Sequence, residues 1–375
     1  MAKADDFVVT PYKVTGNVNY DKLVHQFGTE HITDKLLSKI KKHAGEIHFM
    51  LRRGVFFSHR DMNWLLDEFE KGNKFFLYTG RGPSGGTHIG HLMPWIFTKW
   101  LQDKFGVELW FQFTDDEKFM YKEDLTLEQA NKFARENALD VIALGFDPAK
   151  THFIIDSEQA GVMYPIAIQI AKKITFSTIK AAFGFTNENN VGSIFYTAMQ
   201  AVPAVLPSVL KGKNIPCLIP LGIDQDPHFR VARDVYPKLG FYKPAIIHGK
   251  MMPGLKDEGK MSASDPNSTI YTTDTPKEVE EKIKKHAFSG GRASLEEHRK
   301  LGGNPDVDAC YKWLEMFFEP DDKKLKKIYD DYKSGKMLTS ELKAYTIGKI
   351  NTFLKEHQRK RELARKQLDK FIYKP

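Results

Sequence analysis

A chain of 375 residues, 41% hydrophobic and 28% charged, has ample material for a buried core and the length of about two or three domains. No apolar run approaches the roughly 18–20 residues of a membrane span. The opening Met1-Ala2-Lys3-Ala4-Asp5-Asp6 lacks both the apolar stretch of a secretory signal and the Arg-rich character of an organelle presequence, so a cytoplasmic protein is expected. Two cysteines, Cys217 and Cys310, form no Cys-x-x-Cys pair and are expected to be reduced and structural, and the net charge of +8 favours a polyanionic partner.

In chain order, Phe7-Val8-Val9-Thr10-Pro11-Tyr12-Lys13-Val14 reads as a short hairpin, with Pro11 confined to an edge or turn. Ser58-x-x-Asp61 reads as the start of a helix that carries Met62, Leu65, Leu66 and Phe69 on one stripe and stops at Gly72. Phe75-Phe76-Leu77-Tyr78 is a short apolar run, read as a buried strand. The stretch from Gly80 to Gly86 reads as an irregular loop, and Thr87 to Phe105 is helical by period with Gly106 suited to its C-cap. Val107 to Phe113 is a second strand. Thr126-Leu127-Glu128-Gln129 is a capping box, and His152–Ile155, Cys217–Pro220 and Ala245–His248 are three further strands. Strands alternating with helices predict an α/β fold around a parallel sheet.

Past Asp274 the strands stop. Thr275-Pro276-Lys277-Glu278 opens a helix with proline at its first position, and the pattern stays helical to the end, broken at Ser289-Gly290-Gly291 and Gly302-Gly303-Asn304-Pro305. A domain boundary is therefore expected near 265–275. The last long helix starts at about Thr339, and the stretch from Lys355 to Lys370 holds seven basic residues against three acidic.

Thr79-Gly80-Arg81-Gly82-Pro83-Ser84-Gly85-Gly86-Thr87-His88-Ile89-Gly90-His91 carries most of the chemistry. A glycine-rich turn between a strand and a helix lets backbone approach a ligand closely and aims N–H groups at an anion. It is not a Walker A loop, because Gly86 stands where that loop needs lysine, and its match to the dinucleotide pattern is weakened by Pro83, which lacks an amide hydrogen. His88 and His91 share one face of the first helical turn, where they can donate to phosphate oxygens, and Gly90 leaves a flat surface for an adenine ring. A bare His-x-x-His is ordinarily a pair of surface histidines; its position after this loop is what favours a site. Lys260-Met261-Ser262-Ala263-Ser264 lies in a Gly-, Lys- and Ser-rich loop after the last strand. One lysine with two hydroxyls can close over a leaving pyrophosphate, although a single such string would otherwise pass for a polar surface loop.

Together, and in this order, the two motifs resemble the HIGH and KMSKS signatures of class I aminoacyl-tRNA synthetases, with Ala263 in place of the second lysine of KMSKS. Leu77-Tyr78-Thr79-Gly80-Arg81-Gly82-Pro83-Ser84, Thr114-Asp115-Asp116-Glu117-Lys118, Ile223-Asp224-Gln225-Asp226-Pro227 and the run from Lys260 to Ser268 resemble the eukaryotic and archaeal type of tryptophanyl-tRNA synthetase, as does His286-Ala287-Phe288-Ser289-Gly290-Gly291-Arg292. The resemblance spans about residues 6 to 372. His91 favours this family over the tyrosyl-tRNA synthetases, whose first motif usually lacks the final histidine.

The resemblance implies a Rossmann-like catalytic domain over 73–268 with an inserted helical segment at about 115–200, an N-terminal extension over 1–72 packed on it, and a helical anticodon-binding domain over 269–375 whose last helix returns toward the catalytic domain. It implies that His88, His91 and Lys260 are catalytic, and that Gly80, Gly82, Gly90, Gly222, Asp224, Met261, Ser262 and Ser264 bind ATP. Tyr78 and Gln112 would meet the indole N–H, which is one donor in need of an acceptor. Glu117, Gln200 and Gln225 would hold the α-ammonium. The substrates would be L-tryptophan, ATP and tRNA(Trp), with Mg2+ carried on the ATP and not by a protein site, in a homodimer whose tRNA spans both subunits. Lys355, Arg359, Lys360, Arg361, Arg365 and Lys366 are candidates for tRNA phosphate contacts, against the plain alternative of a solvated helix face. Three rival readings stay open on the residues: a tyrosine enzyme, a small-molecule nucleotidyltransferase sharing the HIGH-type fold, and a non-catalytic paralogue.

Overall fold

The computed structural model describes residues 7–9, 14–15, 18–256, 260–261 and 265–375. Nine strands are described: β1 Val8–Val9, β2 Val14–Thr15, β3 Glu30–His31, β4 Phe56–Arg60, β5 Phe76–Arg81, β6 Leu109–Phe113, β7 Thr151–Ile155, β8 Cys217–Gly222 and β9 Ala245–Gly249. β1 and β2 pair antiparallel, as the hairpin reading expects, and Pro11 lies outside the described residues. The other seven form one sheet in the order β3-β4-β9-β8-β5-β6-β7. β9, β8, β5, β6 and β7 run parallel, while β4 is antiparallel to β9 and β3 to β4. The sheet is thus mixed but mainly parallel, as expected, with the antiparallel strands β4 and β3 added at one side.

Period-two alternation sets the two faces of this sheet. Leu77, Leu109, Phe111, Phe113, Phe153, Ile155, Leu218 and Ile247 point into one apolar core, which continues through Leu36 and Ile89 to Trp313 and Phe371. Phe76, Tyr78, Trp110, Ile154, Ile219 and Ile246 point into a second core on the other face. Chain order reverses between β5 and β8, so the crevice beyond the carboxyl ends of those strands is where an α/β sheet places a ligand.

β4 is a strand that the sequence reading missed. Ser58 does not cap a helix; its hydroxyl lies 3.0 Å from His248 Nδ1 inside the sheet. The helix Met62–Glu70 follows Asp61, which has φ 54° and whose carboxylate pairs with Arg233 at 2.6 Å instead of capping. β5 also extends three residues further than expected, because Thr79, Gly80 and Arg81 stay in register with Phe111, Gln112 and Phe113. The capping boxes at Thr126–Gln129 and Thr275–Glu278 form as read.

A buried charge network ties the early strands to the sheet. Arg60 Nε donates to Asp226 Oδ1 at 2.8 Å, Arg60 Nη2 donates to Asp226 Oδ2 at 2.8 Å, and His248 Nε2 lies 2.9 Å from Asp226 Oδ1. Burial pushes the Asp226 carboxyl up, but hydrogen bonds from His248 and Arg60 outweigh it and hold the group well below the usual range. A depressed folded-state pKa stabilises above the unfolded value of about 3.9 and is lost as pH falls below it. Asp226→Ala strands a buried guanidinium, so unfolding in urea at neutral pH should show a loss of about 3–5 kcal/mol. A loss under about 1 kcal/mol would mean that Arg60 finds solvent instead.

After β9 no further sheet strand occurs among the described residues up to the chain's end region. The helices Pro276–His286, Leu295–Leu301, Ala309–Trp313, Asp322–Lys333 and Thr339–Ala364 follow. The last of these runs back along the helix Leu127–Ala143. His357 Nε2 lies 2.9 Å from Asp140 Oδ1, both side chains buried, and Arg361 bonds Glu136 at 2.8 Å. Phe153 N donates to Phe371 O at 2.7 Å and Tyr373 N to Phe153 O at 2.9 Å, so residues 371–373 line the free edge of β7.

Candidate active site

β5 delivers the chain to the glycine-rich turn, and the helix Ile89–Phe105 leaves it. The turn is stapled in place. Ile89 N donates to Ile270 O at 3.0 Å and Thr272 N to Thr87 O at 2.9 Å, which fastens the first motif to the segment that follows the second. Asn137 Nδ2 donates to Gly85 O at 3.0 Å from the helix below.

His88 and His91 stack with ring centroids 3.4 Å apart. Burial first, then the charges of Arg81 and Lys260, hold both imidazoles neutral, well below their ordinary pKa. His88 N donates to His91 Nδ1 at 3.1 Å, so the proton of neutral His91 sits on Nε2, where it can be donated. Beside them Arg81 Nη2, Thr87 Oγ1 and His88 Nδ1 are buried without a hydrogen-bond partner among the described residues. Buried donors left unpaired are costly, and a triphosphate supplies the oxygens they lack; the residues therefore fit ATP. Arg81 was not singled out from the sequence, where it reads as one more residue of the loop. A side chain at Gly90 would put Cβ 3.1 Å from His88 Nδ1 and 3.5 Å from Met261 Sδ, so only glycine leaves that surface flat.

Lys260 Nζ pairs with Asp224 Oδ2 at 2.6 Å, and Gln225 Nε2 donates to the same oxygen at 3.2 Å. Gly222 lies against Asp224, where a Cβ would come 2.6 Å from Oδ1. Met261 is buried and its N–H donates to Met252 O at 3.0 Å. Ser262 and Ser264 lie outside the described residues. Gly80 is fixed by the sheet as well as facing the site. It sits within β5, and a Cβ there would come 2.8 Å from the backbone oxygen of Gln112, so glycine lets β5 and β6 close up under the site. Gly82 lies beside Glu117 and Lys118, where a Cβ would come 3.2 Å from Glu117 Oε2 and 2.0 Å from Lys118 Cε.

At the carboxyl ends of β5 and β6 a polar cluster is sealed in the apolar core. Tyr78 Oη donates to Gln112 Oε1 at 2.5 Å, and Gln200 Nε2 donates to Tyr78 Oη at 2.7 Å. Tyr196 Oη donates to Gln200 Oε1, and Gln112 Nε2 donates to Asp156 at 2.8 and 3.0 Å. Phe229 meets the Tyr78 ring edge-on at 5.7 Å. Glu117, 8% exposed, takes Lys118 Nζ on Oε1 at 2.8 Å and Thr114 Oγ1 on Oε2 at 2.6 Å. The structure thus brings Tyr78, Gln112 and Gln200 together and sets Gln225 on Asp224. Tyr196 and Asp156 complete the cluster without having been read from the sequence.

The basic stretch of the last helix divides. Lys355 and Lys366 are exposed and form no ion pair among the described residues. Arg359 and Lys360 pair with Glu356, and Arg365 with Glu136 and Glu362, all at the surface. Arg361 is 9% exposed, held by Glu136 at 2.8 Å and Asp140 at 3.2 Å. It is a tether between helices, and the expectation that it meets tRNA is withdrawn: its side chain is buried and already ion-paired with two carboxylates.

The family model for class I tRNA synthetases of W and Y matches residues 70–355. A tryptophan--tRNA ligase of Sulfurisphaera tokodaii is 55% identical over 372 residues, 99% of this chain and 96% of that protein. One from Pyrococcus abyssi is 51% identical over 98% of this chain and 94% of that protein. Among solved structures, a tryptophanyl-tRNA synthetase from Encephalitozoon cuniculi bound to tryptophan superposes with a TM-score of 0.87 at 38% identity, covering 95% of this chain and 98% of that one. With the paired motifs, the reversal point of the sheet and these likenesses together, the chain belongs to the tryptophan branch of the class I aminoacyl-tRNA synthetases for tryptophan and tyrosine.

Proposed function

We propose that the chain activates L-tryptophan with ATP and transfers it to tRNA(Trp). The observation that carries this is the sealed cluster of Tyr78, Gln112 and Gln200, which presents acceptor oxygens inside an apolar pocket as an indole N–H requires. The tryptophan carboxylate, already ionised, attacks the α-phosphorus of ATP and pyrophosphate leaves, so no protein nucleophile or base is needed. Catalysis is positioning and charge stabilisation. Gly82, Gly90, Met261 and Gly222 shape the nucleotide's surface, Asp224 faces its ribose, and His88, His91 and Lys260 meet its phosphates, with Ser262 and Ser264 of the same motif as further candidates. Mg2+ carried on the triphosphate would supply positive charge at the pyrophosphate. Glu117, with Gln200 and Gln225, holds the α-ammonium. The acyl group then passes to the 2′-OH of the terminal adenosine.

The rest of the reading follows the same chemistry. The chain divides into an extension over 1–72, a catalytic unit over 73–268 and a helical tRNA-binding unit over 269–375. Tyr164 and Ile168, exposed and one turn apart on the helix Asp156–Ala171, suit a homodimer face. No helix among the described residues is long and apolar enough to cross a membrane, and we place the enzyme in the cytoplasm with its tRNA.

Amino-acid-dependent ATP–pyrophosphate exchange, run with tryptophan and with tyrosine, tests the reading. Exchange with tryptophan alone supports it; exchange with tyrosine alone overturns the roles of Tyr78 and Gln112; no exchange overturns the activity. For tRNA, Lys355→Glu and Lys366→Glu should each weaken binding and flatten the plot of log Kd against log salt by about one unit, as loss of one phosphate contact does. An unchanged slope would move the tRNA to another face.

A further inference from the structure

The pocket's bonds between side chains all run one way, and only the 3.3 Å contact from Tyr78 Oη to the Gln200 backbone oxygen runs back. Tyr196 Oη donates to Gln200, Gln200 Nε2 to Tyr78 Oη, Tyr78 Oη to Gln112 Oε1, and Gln112 Nε2 to both oxygens of Asp156. Every one of these side chains but Gln200 is buried. Asp156 opens the helix Asp156–Ala171 directly after β7, where helix start and strand end fix its backbone. Its neighbour Ser157 is pinned in turn by Asp115, which accepts from Ser157 N at 3.0 Å.

A glutamine amide has a donor end and an acceptor end of nearly equal shape, and its neighbours decide which faces the substrate. Tyr78 alone does not decide it, since a hydroxyl can donate or accept. An acid on the far side does. We propose that Asp156 is the positioning residue for tryptophan specificity: by accepting the Gln112 amide hydrogens it turns Gln112 Oε1 toward the pocket as the acceptor for the indole N–H. This rests on the reading of Gln112 given above and names what enforces it. With the amide reversed, Oε1 would face the Asp156 oxygens, Tyr78 Oη would lose Gln112 as an acceptor, and Gln112 would present a donor to a donor.

The acids around Asp156 fit this part. Burial, reinforced by the charge of Asp116 and a hydrogen bond with it, holds Asp156 well above the ordinary carboxylate range. That leaves Asp156 oxygens to accept from Gln112 without the cost of an isolated buried charge. Asparagine reproduces the same pattern, since Nδ2 can donate to Asp116 and Oδ1 can accept from Gln112. Alanine and leucine reproduce neither.

The test compares kcat/KM in ATP–pyrophosphate exchange for L-tryptophan and for β-(3-benzothienyl)alanine, which carries sulfur in place of the indole N–H. In Asp156→Ala the tryptophan value should fall by about 10- to 100-fold while the analogue stays within about threefold, because only the hydrogen-bonded substrate loses its partner. The analogue's activity reports that the variant is folded. Asp156→Leu, which fills the space without an acceptor, should behave the same way if alanine leaves too large a cavity. Asp156→Asn should keep the wild-type ratio within about threefold. Equal loss for both substrates in the alanine and leucine variants, or no loss for either, overturns the inference, and so does a collapsed ratio in the asparagine variant. Gln112→Ala separates the two claims. If it leaves the ratio intact, Gln112 is not the acceptor and the underlying reading fails. If it collapses the ratio while Asp156→Ala does not, only the role of Asp156 fails.

Discussion

Lys260→Ala should lower tryptophan-dependent pyrophosphate exchange by about 10²–10³, the usual effect of removing one charge-stabilising contact to a transition state, and leave tryptophan affinity unchanged. The size follows from which cations the site holds. His88 and His91 are kept neutral by burial and by the charges of Arg81 and Lys260, so they donate hydrogen bonds but add no charge. Arg81 is fixed, with Nε on Asn137 Oδ1 at 3.2 Å. Lys260 rests on Asp224 in a pair whose lysine side chain is 33% exposed, worth about 1 kcal/mol or less. A triphosphate can take it from Asp224 at little cost, and Asp224 is then free for the nucleotide. Ala263, where KMSKS has its second lysine, leaves Lys260 with that task alone within the motif. Tryptophan binding, read by fluorescence without ATP, controls for folding. Exchange within about tenfold of wild type would shift the burden of charge stabilisation to Arg81.

The parts of this molecule legible in the sequence are those whose signal is local. An apolar strand, a glycine-rich turn, a periodic helix and two capping boxes are each settled within about twenty residues, and they give the core of the sheet and the position of the nucleotide loop. What escaped depends on partners far along the chain. β4 reads as polar because Ser58 and Arg60 are satisfied by His248 and Asp226, 190 and 166 residues later. Its antiparallel pairing follows from that contact and from nothing in its own composition. Arg361 reads as one more exposed base because Glu136 lies 225 residues earlier. Asp156 has no motif around it; its meaning comes from Gln112, 44 residues before it. Sequence reasoning finds residues that touch the ligand through spacing and turn chemistry, and it passes over those that hold the first set in place.

Glu117→Gln should cost about 10²–10³ in kcat/KM for tryptophan, nearly all of it in KM for the amino acid, with KM for ATP within about twofold. Burial pushes the Glu117 carboxyl up, but Lys118 and Thr114 outweigh it and keep the group below its ordinary pKa, so it is a carboxylate throughout the working range. Glutamine keeps the shape and one acceptor but removes the charge. The unpaired Lys118 ammonium would then stand at 2.8 Å from a neutral oxygen and repel the α-ammonium that belongs there. Indole-3-propionate supplies the control, being tryptophan without its α-ammonium. Its inhibition constant should change little in the variant, so the gap between the two ligands should close. If the affinity for tryptophan falls and the affinity for indole-3-propionate falls with it, Glu117 shapes the pocket through Lys118 and Thr114, and the ammonium is held by the amides of Gln200 and Gln225.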